Sequence, residues 1–257
     1  MAVLMLMVAS VGARAPVAAA GGLAYAALGD SYVTGNGSGN EDGTDCRRSQ
    51  NSYPPQFART SGGAWALTDF AACTGATIAA VERSQLGGLA PARLVSLTIG
   101  GNDARFGEIV IHCLWPGNGC RSDYPDEDQR IDSLEGPLRH LYGEVTAAAP
   151  SAQLLVVDYP QILRDGGTCE STWSLSRDDV TWFRAEYQRM DAVIRRAAAG
   201  LPNTRVVEVE SALAGHELCT SQEWAFGGRW RDPYSSFHPN ALGHAALAGT
   251  LLRAAAG

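Results

Sequence analysis

The sequence predicts an α/β fold in which helices cover both faces of a mostly parallel, five-stranded sheet. Three observations support this prediction. Five short apolar runs alternate with stretches of helical periodicity, which is typical of a parallel sheet. No internal repeat and no interdomain linker interrupts the 257 residues. Long polar segments follow the apolar runs, where an open α/β sheet carries its functional loops.

The predicted elements follow from the spacing of the apolar residues. Strands are predicted at 23–28, 65–71, 94–99, 153–157 and 204–209. Helices are predicted at 52–60, 76–84, 130–149, 176–199 and 240–254. Loops are predicted at 33–51, 103–129, 160–175 and 211–237. Four tryptophans lie on these loops: Trp115, Trp173, Trp224 and Trp230. Exposed loop tryptophans would form a surface for acyl chains or sugars, and cover for the core is the alternative.

The N-terminus has the features of an export signal. An apolar run at 3–8 is followed by small residues at 17–20 that resemble a cleavage site, although no basic residue precedes the run. The run is too short to span a bilayer. We therefore expect residues 1–21 to be a signal peptide, residues 22–257 to form a single domain, and the protein to be secreted without a stable membrane span. An ordinary N-terminal segment is the alternative.

The six cysteines agree with export, because disulfides persist in oxidising compartments. The sequence contains no C-x-x-C motif, so zinc ribbons and thioredoxin-like sites have no support. Many connectivities are open to six cysteines. Sequential pairing is the simplest, since each bond would hold one long loop: Cys46–Cys73, Cys113–Cys120 and Cys169–Cys219. Six buried thiols in a cytosolic protein are the alternative.

Composition and motifs exclude several classes of function. The net charge of −7 disfavours nucleic acid as a partner. All 20 basic residues are Arg, which excludes the P-loop lysine, the Schiff-base lysine and the Ser–Lys hydrolases. Neither H-E-x-x-H nor G-x-G-x-x-G occurs. We therefore expect no cofactor, no metal and no nucleic-acid partner, and a monomeric protein.

Three segments carry candidate chemistry. Ser31 follows the first strand, where a hydroxyl at a helix start suits a nucleophile and its N–H suits an oxyanion donor; helix capping is the alternative. Asn102 follows a Gly-Gly pair after the third strand, where its amide suits a developing negative charge; a capped glycine turn is the alternative. His238 precedes Pro239 at the entrance of the last helix, although an isolated histidine is more often structural.

The three segments together, Gly-Asp-Ser, Gly-Gly-Asn-Asp and His-Pro-Asn, resemble the SGNH (GDSL-type) hydrolase family in order and placement. The family's remaining block, a glycine after the second strand, corresponds to Gly75 in Cys-Thr-Gly-Ala. The stretches 45–54 and 70–76 are similar to the secreted actinobacterial lipase and esterase branch. The resemblance covers about residues 23–254.

This resemblance implies a flavodoxin-like, three-layer α/β/α fold with strand order 2-1-3-4-5 and a site at the carboxyl ends of the strands. It implies that Ser31 is the nucleophile and His238 the general base. The oxyanion hole would comprise the Ser31 N–H, the Gly75 N–H and the Asn102 side chain. The predicted function is a secreted serine carboxylic-ester hydrolase, a lipase or esterase that acts on small-molecule or lipid esters through an acyl-enzyme. A carbohydrate (acetyl) esterase and a non-catalytic binding module on a decayed scaffold are the alternatives.

The sequence departs from the family at one position. Many members carry an Asp three residues before the histidine, where this chain has Ser235. We therefore expect a Ser–His dyad, with the main-chain carbonyl at or near Ser235 holding the ring N–H of His238. Asp232 is the alternative third member. Asp30, Asp103 and the other four histidines are interpreted as structural.

Overall fold

Five strands form one parallel sheet. The computed structural model describes residues 21–115, 117–118 and 120–256, so residues 1–20 of the predicted signal peptide lie outside the described residues. The strands are β1 (Leu23–Gly29), β2 (Trp65–Phe70), β3 (Leu94–Thr98), β4 (Gln153–Val157) and β5 (Thr204–Val207). Their order is β2-β1-β3-β4-β5, and every neighbouring pair is parallel. The predicted fold class and strand order are confirmed.

Helices cover both faces of this sheet. The described residues include α1 (Ser31–Thr34), α2 (Tyr53–Thr60), α3 (Ile78–Ser84), α4 (Phe106–Cys113), α5 (Cys120–Asp123), α6 (Glu127–Asp132), α7 (Glu135–Ala148), α8 (Arg177–Ala198) and α9 (Ala241–Ala255). Helix α2 packs against α9 on one face, while α6 and α7 pack against α8 on the other. The result is the predicted α/β/α arrangement.

The central strands are apolar because both of their faces are covered. Strand β3 is buried throughout, and β1 is buried from Tyr25 onward. Gly29 at the end of β1 pairs with Thr98 at the end of β3. The chain order reverses between these two strands, so the segments that follow them diverge and leave a crevice at the carboxyl edge of the sheet.

Two predicted element boundaries are wrong. The segment 103–129, predicted as a loop, contains α4, α5 and the start of α6. Helix α4 forms because Phe106, Ile109, Val110 and Cys113 have helical spacing and bury one face. The predicted helix 130–149 is interrupted between α6 and α7, because Pro137 in the first turn of α7 has no N–H to continue an earlier helix.

Three disulfides cross-link the long segments between the strands. They join Cys46 to Cys73, Cys113 to Cys120, and Cys169 to Cys219, the same sequential pairs that the sequence predicts. The bond from Cys46 ties the loop after α1 to the segment after β2, two residues before Gly75. Among the described helices, none combines the length and the apolar character that crossing a bilayer requires.

Candidate active site

The end of β1 presents Ser31 to a cavity. Asp30, not Ser31, is the N-cap of α1, and its Oδ1 accepts a 2.9 Å hydrogen bond from the Tyr32 N–H. The alternative in which Ser31 caps the helix is therefore wrong. Ser31 is the first residue of α1 and lines a cavity of about 370 Å³.

His238 lies across this cavity from the end of β1 and is hydrogen-bonded at both ring nitrogens. Its Nε2 is 2.7 Å from the Oγ of Ser31. Its Nδ1 is 2.8 Å from the main-chain oxygen of Ser236. The carbonyl that holds the ring therefore belongs to Ser236, and the prediction of Ser235 is wrong by one residue.

The backbone before His238 explains this correction. The 3-10 turn Pro233–Ser235 ends at Ser236, which has extended backbone angles. Phe237 then takes a left-handed conformation with φ of 55°. This reversal directs the Ser236 carbonyl back toward the imidazole two residues later. Ser235 instead points its hydroxyl at the carboxylate of Asp232.

Asp232 has other partners than His238. Its Oδ2 accepts the hydrogen bond from Ser235, and its Oδ1 is 3.7 Å from the Arg47 guanidinium. Within the described residues, no hydrogen bond joins Asp232 to His238. The carboxylate acts on the imidazole only through space, where it favours protonation and Arg47 opposes it.

Burial lowers the pKa of His238 from its ordinary value of 6.5 to about 4. The Ser236 carbonyl raises the pKa, the Arg47 charge lowers it, and Asp232 raises it by the smallest amount. The ring is therefore neutral at pH 7, as a proton acceptor for a hydroxyl must be.

Three hydrogen-bond donors border the cavity near Ser31. Within the described residues, the N–H groups of Ser31 and Gly75 bond to no main-chain acceptor. Gly75 has a φ of 74°, which glycine adopts without strain. The Asn102 amide donates one N–H to the Ala76 carbonyl at 2.8 Å and keeps its second N–H available. The predicted oxyanion donors thus line one cavity with Ser31.

The two aspartates near the site make structural contacts. Oδ2 of Asp30 accepts a 2.6 Å hydrogen bond from the Tyr159 hydroxyl, which accepts 2.9 Å from the Gly101 N–H. This chain joins the ends of β1, β3 and β4. Burial raises the pKa of Asp30 to about 7. Asp103 accepts from the Ile78 N–H at the start of α3, at 3.0 Å.

Several residues of the cavity wall are not among those predicted from the sequence. They are Tyr32, Phe106, Val110, Ile111, Tyr159, Tyr187, Pro233 and Tyr234. The residues on α4 have a signal in the sequence, since their helical periodicity predicts a helix in the segment that follows Asn102. The tyrosines come from separate segments and have no such local signal.

Within the described part of the chain, two groups of side chains lie close enough together to bind a metal ion. One contains Cys169 and Cys219, whose sulfurs form a disulfide, with Glu223. The other contains Glu82, His140 and Glu144. Neither group includes a residue of the cavity.

The geometry agrees with comparisons to known proteins. The profile of the GDSL-like lipase/acylhydrolase family matches residues 27–246, which include all four predicted catalytic positions. The chain belongs to this family. It is therefore a GDSL-type esterase or lipase, as the sequence predicts.

Several named proteins are similar to this chain along most of its length. Lipase 1 of Streptomyces coelicolor is 34% identical over 90% of this chain and 85% of its own length. The structure of phospholipase A1 from Streptomyces albidoflavus is 33% identical, with a TM-score of 0.82 over 90% of this chain and 98% of that one. An extracellular lipase from Streptomyces rimosus is 32% identical, with a TM-score of 0.82 over 90% and 99%.

Proposed function

We propose that this GDSL-type enzyme is exported and cleaves the acyl esters of lipids through an acyl-enzyme on Ser31. The observation that carries the proposal is the doubly bonded imidazole of His238, 2.7 Å from the Ser31 hydroxyl and 2.8 Å from the Ser236 carbonyl. A hydroxyl bonded to a base that a third group orients has the geometry of an activated nucleophile.

The Ser236 carbonyl selects the tautomer of His238. A carbonyl oxygen only accepts hydrogen bonds, so Nδ1 carries the proton and Nε2 keeps its lone pair. Nε2 then accepts the proton of the Ser31 hydroxyl. A carbonyl carries no full negative charge, so it stabilises the imidazolium less than a carboxylate does. Catalysis by the dyad therefore depends strongly on the relative positions of Ser31 and His238.

In the first half-reaction, Oγ of Ser31 attacks the ester carbonyl carbon while Nε2 of His238 takes its proton. The carbonyl oxygen becomes an oxyanion that the Ser31 N–H, the Gly75 N–H and the Asn102 amide stabilise; one such donor contributes about 3 kcal/mol. The C–O bond then breaks, and the alkoxide leaves as the alcohol with the proton from Nε2.

In the second half-reaction, water attacks the acyl carbon and Nε2 takes the water proton. The tetrahedral intermediate collapses, Oγ of Ser31 regains that proton, and the carboxylic acid leaves. Apart from the ester and the water, every group in these steps belongs to the chain, so we expect hydrolysis without an added cofactor.

The cavity wall favours an acyl chain over a sugar. Phe106, Val110 and Ile111 form an apolar side on α4, and Pro233 and Tyr234 line the same cavity. A sugar site presents closely spaced hydrogen-bonding groups to many hydroxyls, whereas apolar walls favour methylene groups. The similar Streptomyces proteins named lipase and phospholipase A1 support the same substrate class.

Hydrolysis of p-nitrophenyl esters of increasing chain length tests this proposal. We expect kcat/KM to rise from the acetate to medium and long acyl chains. A folded Ser31→Ala variant loses about 10³-fold or more of kcat. A preference for acetylated oligosaccharides over all long-chain esters would favour the carbohydrate esterase. Turnover that Ser31→Ala leaves unchanged would show that Ser31 is not the nucleophile.

Export is proposed from the apolar N-terminal run together with the three disulfides. The signal peptide would comprise residues 1–21 and the single catalytic domain residues 22–257. Amino-terminal sequencing of protein recovered from the culture medium tests the cleavage site. A start within a few residues of Gly22 is expected, and recovery of the uncleaved chain from the cytoplasm alone would contradict export.

A further inference from the structure

Exposed aromatic side chains concentrate on one face of the molecule. Six large apolar side chains are exposed among the described residues, and four of them are aromatic. We call these four the aromatic rim: Trp115, Trp173, Trp230 and Tyr234, exposed by 67%, 47%, 73% and 67%. Large apolar groups in a cluster mark an interaction surface, whereas single ones need no explanation.

The aromatic rim is continuous with the catalytic cavity. Three rim tryptophans border an apolar groove of about 350 Å³, and Ile111 and Pro233 line both this groove and the cavity of Ser31. Tyr234, the fourth rim residue, lines the catalytic cavity itself. A molecule bound on the rim therefore lies at the entrance to the nucleophile.

Hydrogen bonds and close packing hold the rim in its exposed position. The N–H of Gly228 donates to the Ser171 carbonyl, and the N–H of Arg229 donates to the Ser236 hydroxyl at 2.8 Å. A Cβ at Gly228 would lie 2.6 Å from Leu114 and 3.2 Å from the Trp173 indole nitrogen. The absence of a side chain at residue 228 thus lets the Trp230 segment pack against the segments that carry the other two tryptophans.

Positive charge flanks the rim, although the chain as a whole is acidic. Arg229 and Arg231 are exposed on either side of Trp230, and neither forms an ion pair within the described part of the chain. The Arg231 guanidinium lies over the Trp230 ring, 5.2 Å from its centroid. The acid of the same segment, Asp232, is engaged by Ser235 and Arg47. The two arginines are therefore available to an anionic partner.

We propose that the aromatic rim, with Arg229 and Arg231, docks this enzyme onto an anionic phospholipid surface. Tryptophan and tyrosine favour the boundary between hydrocarbon and water, because each ring has an apolar body and a polar group. Arginine binds phosphate through paired N–H groups. Docking in this orientation opens the cavity toward the lipid layer, so an ester reaches Ser31 without crossing water. The proposal rests on the proposed function as a lipid ester hydrolase.

Vesicle co-sedimentation of the Ser31→Ala protein tests docking without hydrolysis. The probes are phosphatidylcholine vesicles and mixed phosphatidylcholine–phosphatidylglycerol vesicles. We expect Trp230→Ala to weaken binding to the mixed vesicles by about tenfold, because it withdraws a large apolar side chain from the layer. Arg229→Gln and Arg231→Gln should each weaken binding by about fivefold, and only where anionic lipid is present.

Matched controls lie near the amino ends of β1 and β3, whereas the rim adjoins the cavity at the carboxyl ends of the strands. Leu23→Ala removes an exposed apolar side chain at the start of β1, and Arg93→Gln removes an exposed charge just before β3. Neither control should change vesicle binding. Equal losses in the control and rim variants, or no loss in the rim variants, would overturn the proposal. A dimer in sedimentation equilibrium that Trp230→Ala dissociates, without vesicle binding, would assign the rim to a second copy instead.

Turnover by the protein with Ser31 intact separates this proposal from the proposed function. A water-soluble acetate ester needs no surface, so Trp230→Ala should retain its hydrolysis while losing activity on mixed vesicles. If the protein with Ser31 intact hydrolyses none of these esters faster than Ser31→Ala does, the proposed function is contradicted. Retained vesicle activity in Trp230→Ala and Arg231→Gln would contradict only the docking surface.

Discussion

The hydroxyl of Tyr32 donates a 2.6 Å hydrogen bond to the main-chain oxygen of Phe237. Tyr32 directly follows Ser31, and Phe237 directly precedes His238. The Tyr32 ring also lies against the imidazole, with ring centroids 4.8 Å apart. One side chain thus joins the segment of the nucleophile to the segment of the base. Because a carbonyl dyad lacks a charged third member, this link bears directly on the distance from Ser31 to His238.

Tyr32→Phe should lower kcat by about tenfold with little change in KM. The variant keeps the ring contact with His238 but leaves the buried Phe237 carbonyl without its donor, which costs about 1–3 kcal/mol of stability as well. Steady-state kinetics and thermal unfolding measure the two effects. The control is Tyr187→Phe, which removes only the 2.9 Å bond between the two tyrosine hydroxyls. Equal kinetic losses in both variants would show that the Phe237 contact has no special role.

Asn102→Ala should lower kcat by about 10²–10³-fold and leave KM nearly unchanged. The amide faces negative charge only after the ester carbonyl has been attacked, so its loss affects the transition state. The broken bond to the Ala76 carbonyl adds a stability cost of about 1 kcal/mol. Kinetics on a soluble ester and thermal unfolding of the same protein distinguish these effects. A change in KM alone would reassign Asn102 to substrate binding.

Asp232→Asn should reduce kcat by less than about tenfold, and Ser235→Ala should do the same. Neither side chain hydrogen-bonds His238, whose Nδ1 is held by the Ser236 carbonyl. A true triad carboxylate behaves otherwise, since its neutralisation in a serine protease costs about 10⁴-fold. A collapse of kcat in a stable Asp232→Asn protein would show that the carboxylate reaches the imidazole during turnover.

The sequence predicts the catalytic groups better than the group that orients them. Ser31 and His238 each occupy a point that local patterns mark, the end of an apolar strand and the residue before a proline that precedes the N-cap of α9. The Ser236 carbonyl depends instead on the left-handed Phe237, a conformation that a bulky side chain rarely adopts. No composition or spacing rule identifies which carbonyl then faces the ring.

The residues of the cavity wall also differ in how well the sequence predicts them. The periodicity of Phe106, Ile109 and Val110 is present in the sequence, and applying it to the segment after Asn102 predicts α4. Tyr32, Tyr159 and Tyr187 meet from three distant segments, with the hydroxyls of Tyr32 and Tyr187 2.9 Å apart. Such contacts depend on tertiary packing, which local patterns in a single sequence do not reveal.

The acid limb of kcat/KM should have its midpoint near pH 4, well below the ordinary histidine value of 6.5. Neutral His238 is the active form, so activity persists as the pH falls from 6.5 and is lost as it passes through the pKa. Arg47→Gln removes a charge that lowers this pKa, so the limb should move to higher pH. Arg48→Gln is the control, because Arg48 pairs with Asp42 and is not among the charges that shift the pKa of His238. A limb that stays in place in Arg47→Gln would contradict this assignment.

His244→Leu should make stability less dependent on pH. The His244 ring is fully buried on α9, neither nitrogen is hydrogen-bonded to any of the described residues, and burial lowers the pKa of the ring to about 3. As the pH falls below 6.5, the unfolded chain takes up a proton that the folded ring refuses. The stability present above pH 6.5 is therefore lost progressively, by about 1.4 kcal/mol per pH unit for this one group.

Urea unfolding with the disulfides intact, at a series of pH values from about 7 down to about 4, measures this difference. Leucine has no nitrogen to protonate in the unfolded chain. The free energy of unfolding of His244→Leu, relative to that of the parent, should therefore rise steadily as the pH falls. Leu247→Ala removes a buried side chain on α9 that has no titratable group, so its difference from the parent should be the same at every pH. A difference between His244→Leu and the parent that is the same at every pH would mean that packing alone separates them, and that the folded ring takes up its proton as readily as the unfolded one.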